Sequence, residues 1–267
     1  MPSHSPGRPA GDAAVLLRED RPAAAGVVRI LTLNRPAKHN ALNTVLAREL
    51  LDALELAATD ENVRALVLAG NGRSFCAGGD LAEFRDVSEP RPLLIRRARL
   101  LADVQSLLPR LPVPVVSAVH GAALGAGAAL ATSADMAIGA ADLTLGYPEL
   151  ADGVVPALVM AGPVQHLDRK LAFEMITTGR RMDADDALAH GIVNRVVGAG
   201  QSLEAAIEVA TTWAALDPQA LRETKRLFYR QADLPAEAAI QAGLDVTAAT
   251  WAPPRERTAS ANGHRVS

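Results

Sequence analysis

A single cysteine, Cys76, in 267 residues excludes a disulfide framework and a thiolate zinc site. Aromatic residues make up only 3% of the chain, so alanine fills much of the space instead. Lysine is confined to Lys38, Lys170 and Lys225, and arginine carries nearly all of the positive charge. Neither sign dominates. The formal net charge is −3, with no long run of like charge, which argues against nucleic acid as the main partner. Several catalytic signatures are absent: no Gly-x-Ser-x-Gly elbow, no His-Glu-x-x-His and no Gly-x-x-x-x-Gly-Lys loop. The segment from Met1 to Pro22 lacks an apolar stretch before a small-residue cleavage site, so it does not read as an export signal. From Leu111 to Ala134 no Asp, Glu, Lys or Arg occurs, long enough for a membrane span. Pro112, Pro114, His120 and the high alanine content favour a buried strand followed by a buried helix. These readings place the chain in the cytoplasm, with no membrane and no nucleic acid among its partners.

What is present is an ordinary globular composition, 49% hydrophobic and 21% charged. The length lies between one and two domains at about 150 residues each. Val27 to Leu33 predicts a strand running into the turn Asn34-Arg35-Pro36. Asn43 or Thr44 can cap a helix carrying Leu46, Leu50, Leu51, Leu54 and Ala58 at helical spacing. Val63 to Leu68, Val113 to Val119 and Met136 to Gly139 predict further strands, and Leu143 to Gly146 a possible one. Pro92 to Leu108 and Gly121 to Thr132 predict helices, and beyond Asp168 the pattern is mostly helical. Strands alternating with helices, then helices alone, indicate an α/β fold with a helical C-terminal part. Residues 1–24 read as a flexible tail, 25–200 as the core, 201–252 as the helical part and 253–267 as a second tail.

The remaining chemistry-bearing residues have bland readings beside the sharp ones. Gly125-x-Gly127 after a strand resembles a dinucleotide loop, but Leu130 stands where a third glycine is needed. Cys76 has no base tied to it by sequence and reads as a small buried residue. His120 reads as a satisfied turn or core histidine. Two small-residue turns, Ala77-Gly78-Gly79 and Gly125-Ala126-Gly127, let backbone N–H groups approach a ligand closely. Tight turning and helix packing are the favoured explanation of each when taken alone.

Taken in order, the motifs carry more. Asn34-Arg35-Pro36-Ala37-Lys38-His39-Asn40-Ala41-Leu42-Asn43 is followed by Ser74-Phe75-Cys76-Ala77-Gly78-Gly79-Asp80-Leu81. Then come His120-Gly121, Gly125-Ala126-Gly127, Pro148-Glu149, Thr178-Gly179-Arg180 and Gly191-Ile192-Val193. The ordered set resembles the crotonase, or enoyl-CoA hydratase/isomerase, superfamily. That resemblance implies a crotonase-like ββα spiral core, assembly as a homotrimer or hexamer, an acyl-CoA thioester substrate and no separate cofactor. It implies that the N–H groups of Ala77 and Ala126 hold the thioester oxygen as an oxyanion hole. It further implies that Lys38, His39 and Ala41 lie along the CoA, with Gly78, Gly79, Asp80 and Leu81 near its adenine and pantetheine. Glu149 matches the family's second catalytic glutamate.

The departures shape the expected reaction. At the position of the family's first glutamate this chain has Ala129, whose methyl group can neither orient nor deprotonate water. Asp152 can share a face with Glu149 and act as a second carboxylate. Val154 to Val164 is bulkier than the family's glycine-rich version, and Trp251-Ala252-Pro253-Pro254 replaces the usual helical ending. The reading that follows is double-bond isomerisation by a single glutamate. Weak enoyl-CoA hydration is the alternative within the class, and acyl-CoA binding without turnover the alternative outside it.

Overall fold

The structure, a computed structural model, describes residues 14–84 and 90–250. Residues 1–13 of the tail expected over 1–24, the tail expected at 253–267 and the altered ending from Trp251 onward lie outside the described residues. The strands are β1 (Leu16–Ala23), β2 (Gly26–Leu33), β3 (Val63–Gly70), β4 (Val115–Val119), β5 (Ala122–Leu124), β6 (Met136–Ala140), β7 (Thr144–Gly146) and β8 (Arg195–Val197). The helices are α1 (Thr44–Thr59), α2 (Leu81–Phe84), α3 (Arg91–Leu107), α4 (Ala126–Ser133), α5 (Ala161–His166), α6 (Arg169–Thr178), α7 (Ala184–Ala189), α8 (Ser202–Ala214), α9 (Pro218–Ala232) and α10 (Ala236–Thr250).

Six strands form one sheet in the order β1-β2-β3-β4-β6-β8, and β5 pairs with β7 in a second. Apart from the β1–β2 hairpin, all of these pairings are parallel. Successive ββα turns therefore stack into the spiral that the sequence motifs imply. The central strands β3, β4 and β6 are buried on both faces, as parallel strands with helical cover require. Along β2 and β3, Leu31, Leu33, Leu66 and Leu68 face one core with α1, α3 and α4. Val28, Ile30, Ala65 and Val67 face the other, where they meet Ala206, Ile207 and Ala210 of α8.

Three expectations are corrected. Leu16–Ala23 is a strand, not tail, in register from Leu16↔Leu33 to Ala23↔Gly26. Its run Arg18-Glu19-Asp20-Arg21-Pro22 suits an edge strand, which accommodates charge and proline on its open side. Gly121 to Thr132 is not one helix, because β5 occupies Ala122–Leu124 and α4 begins only at Ala126. The boundary near residue 200 also moves. The chain divides into compact units ending at Lys225 and beginning at Arg226, since α8 packs on the sheet. Within the second unit, Gln231 Nε2 donates to the Ala239 carbonyl at 2.8 Å. Among the described residues, no helix is long and apolar enough to cross a membrane.

Candidate active site

The carboxyl ends of β3 and β4 open into loops, the place where parallel α/β sheets build sites. One buried side chain ties these loops together. Asn40, in the left-handed region at φ 57°, donates from Nδ2 to the carbonyls of Asn71 at 2.9 Å and Ser74 at 2.7 Å. Its Oδ1 accepts from the Arg35 N–H at 2.8 Å. Asparagine tolerates this backbone conformation better than most residues, and here its amide also replaces three missing backbone partners. Arg35 reaches on to Asp80 at 2.9 Å, and Leu42 N–H donates to Gly78 O at 2.8 Å. The 34–43 segment thus acts as a brace behind the Ala77-Gly78-Gly79 turn.

The second turn is set by β5. Cys76 N–H donates to Ala122 O and Leu124 N–H to Cys76 O, both at 3.0 Å, so the two turns run side by side. Gly125 adopts φ 52° and ψ −117°, and a β-carbon there would lie 2.2 Å from Glu149 Oε1. No other residue leaves room for that carboxylate. Ala126 follows as the first residue of α4, and its N–H donates to no group among the described residues. The Ala77 N–H, by contrast, donates to the His39 carbonyl at 2.9 Å.

Glu149 lies on a short 3₁₀ turn, Glu149–Asp152, which also carries Asp152. Its Oε2 is buried with no hydrogen-bond partner. Burial pushes its carboxyl above the ordinary glutamate range, partly opposed by a backbone hydrogen bond and reinforced by the Asp152 charge. A carboxylate that holds its proton more tightly is a stronger base once ionised. The cavity in front of it measures about 310 Å³ and is lined by Ala77, Gly78, Gly79, Leu81, Ala98, Leu101, Gly125, Ala126, Pro148, Glu149, Asp152 and Val154–Val159.

The structure therefore brings together Glu149, Ala77, Gly78, Gly79, Leu81 and Ala126. Lys38 and His39 are exposed and Ala41 half-buried on the brace outside the cavity, where His39 Nδ1 lies 3.0 Å from Ser74 Oγ. Asp80 is held by Arg35 rather than facing the cavity. Cys76 is fully buried, and burial pushes its thiol up to about 12, which leaves it no nucleophilic role at neutral pH. His120 Nε2 is satisfied by Gly72 O at 2.9 Å. Ala129 is buried in α4, one turn beyond Ala126. Sequence reading passes over Ala98 and Leu101, because α3 reaches the cavity only through tertiary packing. It also gives no separate role to Asn40, whose position inside the first motif was the available signal. A more open depression of about 560 Å³ near Asp168 and His190 lacks any comparable group, and its Arg180 is paired with Glu174 and Asp186.

The chain is similar to known proteins in sequence and fold. The family described as Enoyl-CoA hydratase/isomerase matches residues 23–258. A protein of Escherichia coli strain K12 named 2,3-dehydroadipyl-CoA hydratase is 38% identical over 221 residues, covering 81% of this chain and 82% of that protein. A short-chain-enoyl-CoA hydratase of Clostridium acetobutylicum is 33% identical, covering 77% of this chain and 78% of its own. Among solved structures, an enoyl-CoA hydratase of Mycobacterium smegmatis aligns with a TM-score of 0.83 at 35% identity, covering 89% of this chain and 91% of that one.

Proposed function

The chain belongs to the enoyl-CoA hydratase/isomerase family, and from that premise we propose that it shifts the double bond of an enoyl-CoA thioester, with Glu149 as the sole proton carrier. The observation carrying this reading is the pairing of a buried, unpartnered Glu149 carboxylate oxygen with alanine at position 129. The open N–H of Ala126 takes the thioester oxygen, and the Ala77 N–H divides its proton between that oxygen and the His39 carbonyl. Each such donor is worth about 3 kcal/mol in acyl chemistry. Glu149 removes a proton from the α-carbon of a 3-enoyl ester, the charge spreads over a dienolate, and the same proton returns at the γ-carbon. No water and no cofactor enters the step. Lys38, His39 and Ala41 flank the CoA outside the cavity, with the Gly78–Leu81 turn beneath its pantetheine.

The test compares 3-enoyl-CoA isomerisation with 2-enoyl-CoA hydration on the same protein. Wild type is expected to isomerise faster than it hydrates, and Ala129→Glu to raise hydration by about 10- to 100-fold. A second reading, hydration, is favoured by Asp152, which lines the same cavity and acts on the charge of Glu149. Brisk wild-type hydration that is lost in Asp152→Asn would replace the first reading with the second. Ala129→Glu carries a folding cost, since the site is 2% exposed, so its melting temperature is measured beside the rate.

We also propose assembly as a trimer or hexamer. Val164 and Phe173 are 62% and 68% exposed, an apolar load that a second copy would cover. Light scattering is expected to give three or six times the chain mass, and a stable monomer would reject the assembly.

A further inference from the structure

The cavity beside Glu149, about 310 Å³, lies at the small end of the range for ligand sites, about 300–1,000 Å³. It can hold the acyl chain and the thioester but not the whole of coenzyme A. Its walls are apolar: Ala98 and Leu101 on α3 face the Val154–Val159 segment. Among the described lining residues only Glu149 and Asp152 carry charge, and both are acidic. The arginines flanking Ala98 are committed elsewhere. Arg97 donates to Thr44 Oγ1 and Glu83 O, both at 2.9 Å, and Arg99 pairs with Asp103 at 3.0 Å. An acyl chain ending in a carboxylate would thus place a third negative group among apolar walls, with no cation among the described lining residues to meet it, and burial of an unpaired charge is strongly unfavourable.

We infer that this cavity selects neutral aliphatic acyl chains and excludes acyl chains bearing a terminal carboxylate. The inference rests on the acyl-CoA reading above. It separates this chain from the Escherichia coli relative, whose name specifies a dehydroadipyl, that is a carboxylate-ended, ester. Leu101, Ala98 and Val159 are the residues that set the preference.

Binding of two saturated esters with equal carbon count, hexanoyl-CoA and adipyl-CoA, tests it by calorimetric titration of the full chain. Neither ester can be turned over by double-bond chemistry, so affinity is read alone. Hexanoyl-CoA is expected to bind about 100-fold more tightly, the size of effect that like-charge juxtaposition at a desolvated site produces. Adipyl-CoA binding within about threefold of hexanoyl-CoA would overturn the inference. Ala98→Lys, at a half-buried wall position where a long side chain can be accommodated, is expected to narrow the ratio at least about tenfold by supplying the missing cation. An unchanged ratio in a folded Ala98→Lys protein would also overturn it, because the acyl end would then lie away from α3. Failure of both esters to bind would reject the acyl-CoA reading together with the inference. Tight hexanoyl-CoA binding without turnover of 2- or 3-hexenoyl-CoA would reject only the catalytic reading.

Discussion

Glu149→Gln is expected to lower turnover by about 10²- to 10⁴-fold while acyl-CoA affinity stays within a few-fold. The amide keeps the shape of the carboxyl group but cannot accept and return a proton. Binding survives because the apolar walls and the N–H groups of the two turns remain. A variant keeping more than about a tenth of the wild-type rate would show that another group carries the proton. The pH profile gives an independent signature. Wild-type rate falls on the acid side as Glu149 becomes protonated, at a pH above the ordinary glutamate value of 4.5, because burial and Asp152 both favour the neutral form. Asp152→Asn removes one of those causes and moves the limb to lower pH. Stability runs the opposite way. Between the ordinary and the raised value the folded state binds more protons than the unfolded state, so stability falls as pH rises through that window. Glu149→Gln therefore melts at a higher temperature than wild type at neutral pH, and the difference disappears below the ordinary glutamate range. A base held at such a cost is expected where function requires it.

The sequence carries the parts of this fold whose physics is local. The β-branched and leucine-rich run Val27–Leu33 locates β2, and leucines at helical spacing locate α1, where Asn43 caps the helix by accepting from Leu46 N–H at 2.9 Å. β1 escapes because an edge strand needs little hydrophobic alternation. β5 escapes because Ala122-Ala123-Leu124 has helical propensity, and only pairing with β7 and with Cys76 makes it extended. That is tertiary context overriding local preference. Glu149 and the two turns are legible through ordered motifs, since their chemistry depends on residue type at fixed spacing. Leu101 is not, because its distance from Glu149 in the chain says nothing about which wall it forms. The engagement of the Ala77 N–H by His39 is equally invisible, since a backbone bond between two loops leaves no mark on side-chain identity.

The geometry of the two turns depends most heavily on a residue that never touches the cavity. Gly127→Ala is expected to destabilise the fold by about 3 kcal/mol or more and to cost about 10²-fold in turnover. A β-carbon at Gly127 would lie 2.0 Å from Cys76 O and 2.7 Å from Cys76 C, both backbone atoms that cannot rotate aside. The same Cys76 oxygen accepts from Leu124 N–H at 3.0 Å, so moving it weakens the join between the turns. Ala77 follows Cys76 directly and Ala126 precedes Gly127 directly. Any displacement that relieves the clash therefore spreads the two N–H groups proposed to share one oxygen. Gly200→Ala serves as the control. Gly200 has φ 77° with nothing within 4 Å of an added β-carbon, so its substitution costs only the left-handed penalty of about 1–2 kcal/mol. Urea unfolding and turnover, measured on both variants, separate backbone strain from lost approach. Gly200→Ala should keep wild-type turnover despite its lower stability. If Gly127→Ala were no less stable than Gly200→Ala and equally active, close contact between α4 and the Cys76 backbone would not be what aligns the proposed oxyanion hole. Loss of turnover in a Gly127→Ala protein that still binds acyl-CoA would locate the damage in the alignment of Ala77 and Ala126, since ground-state binding draws mainly on the apolar walls and the CoA brace.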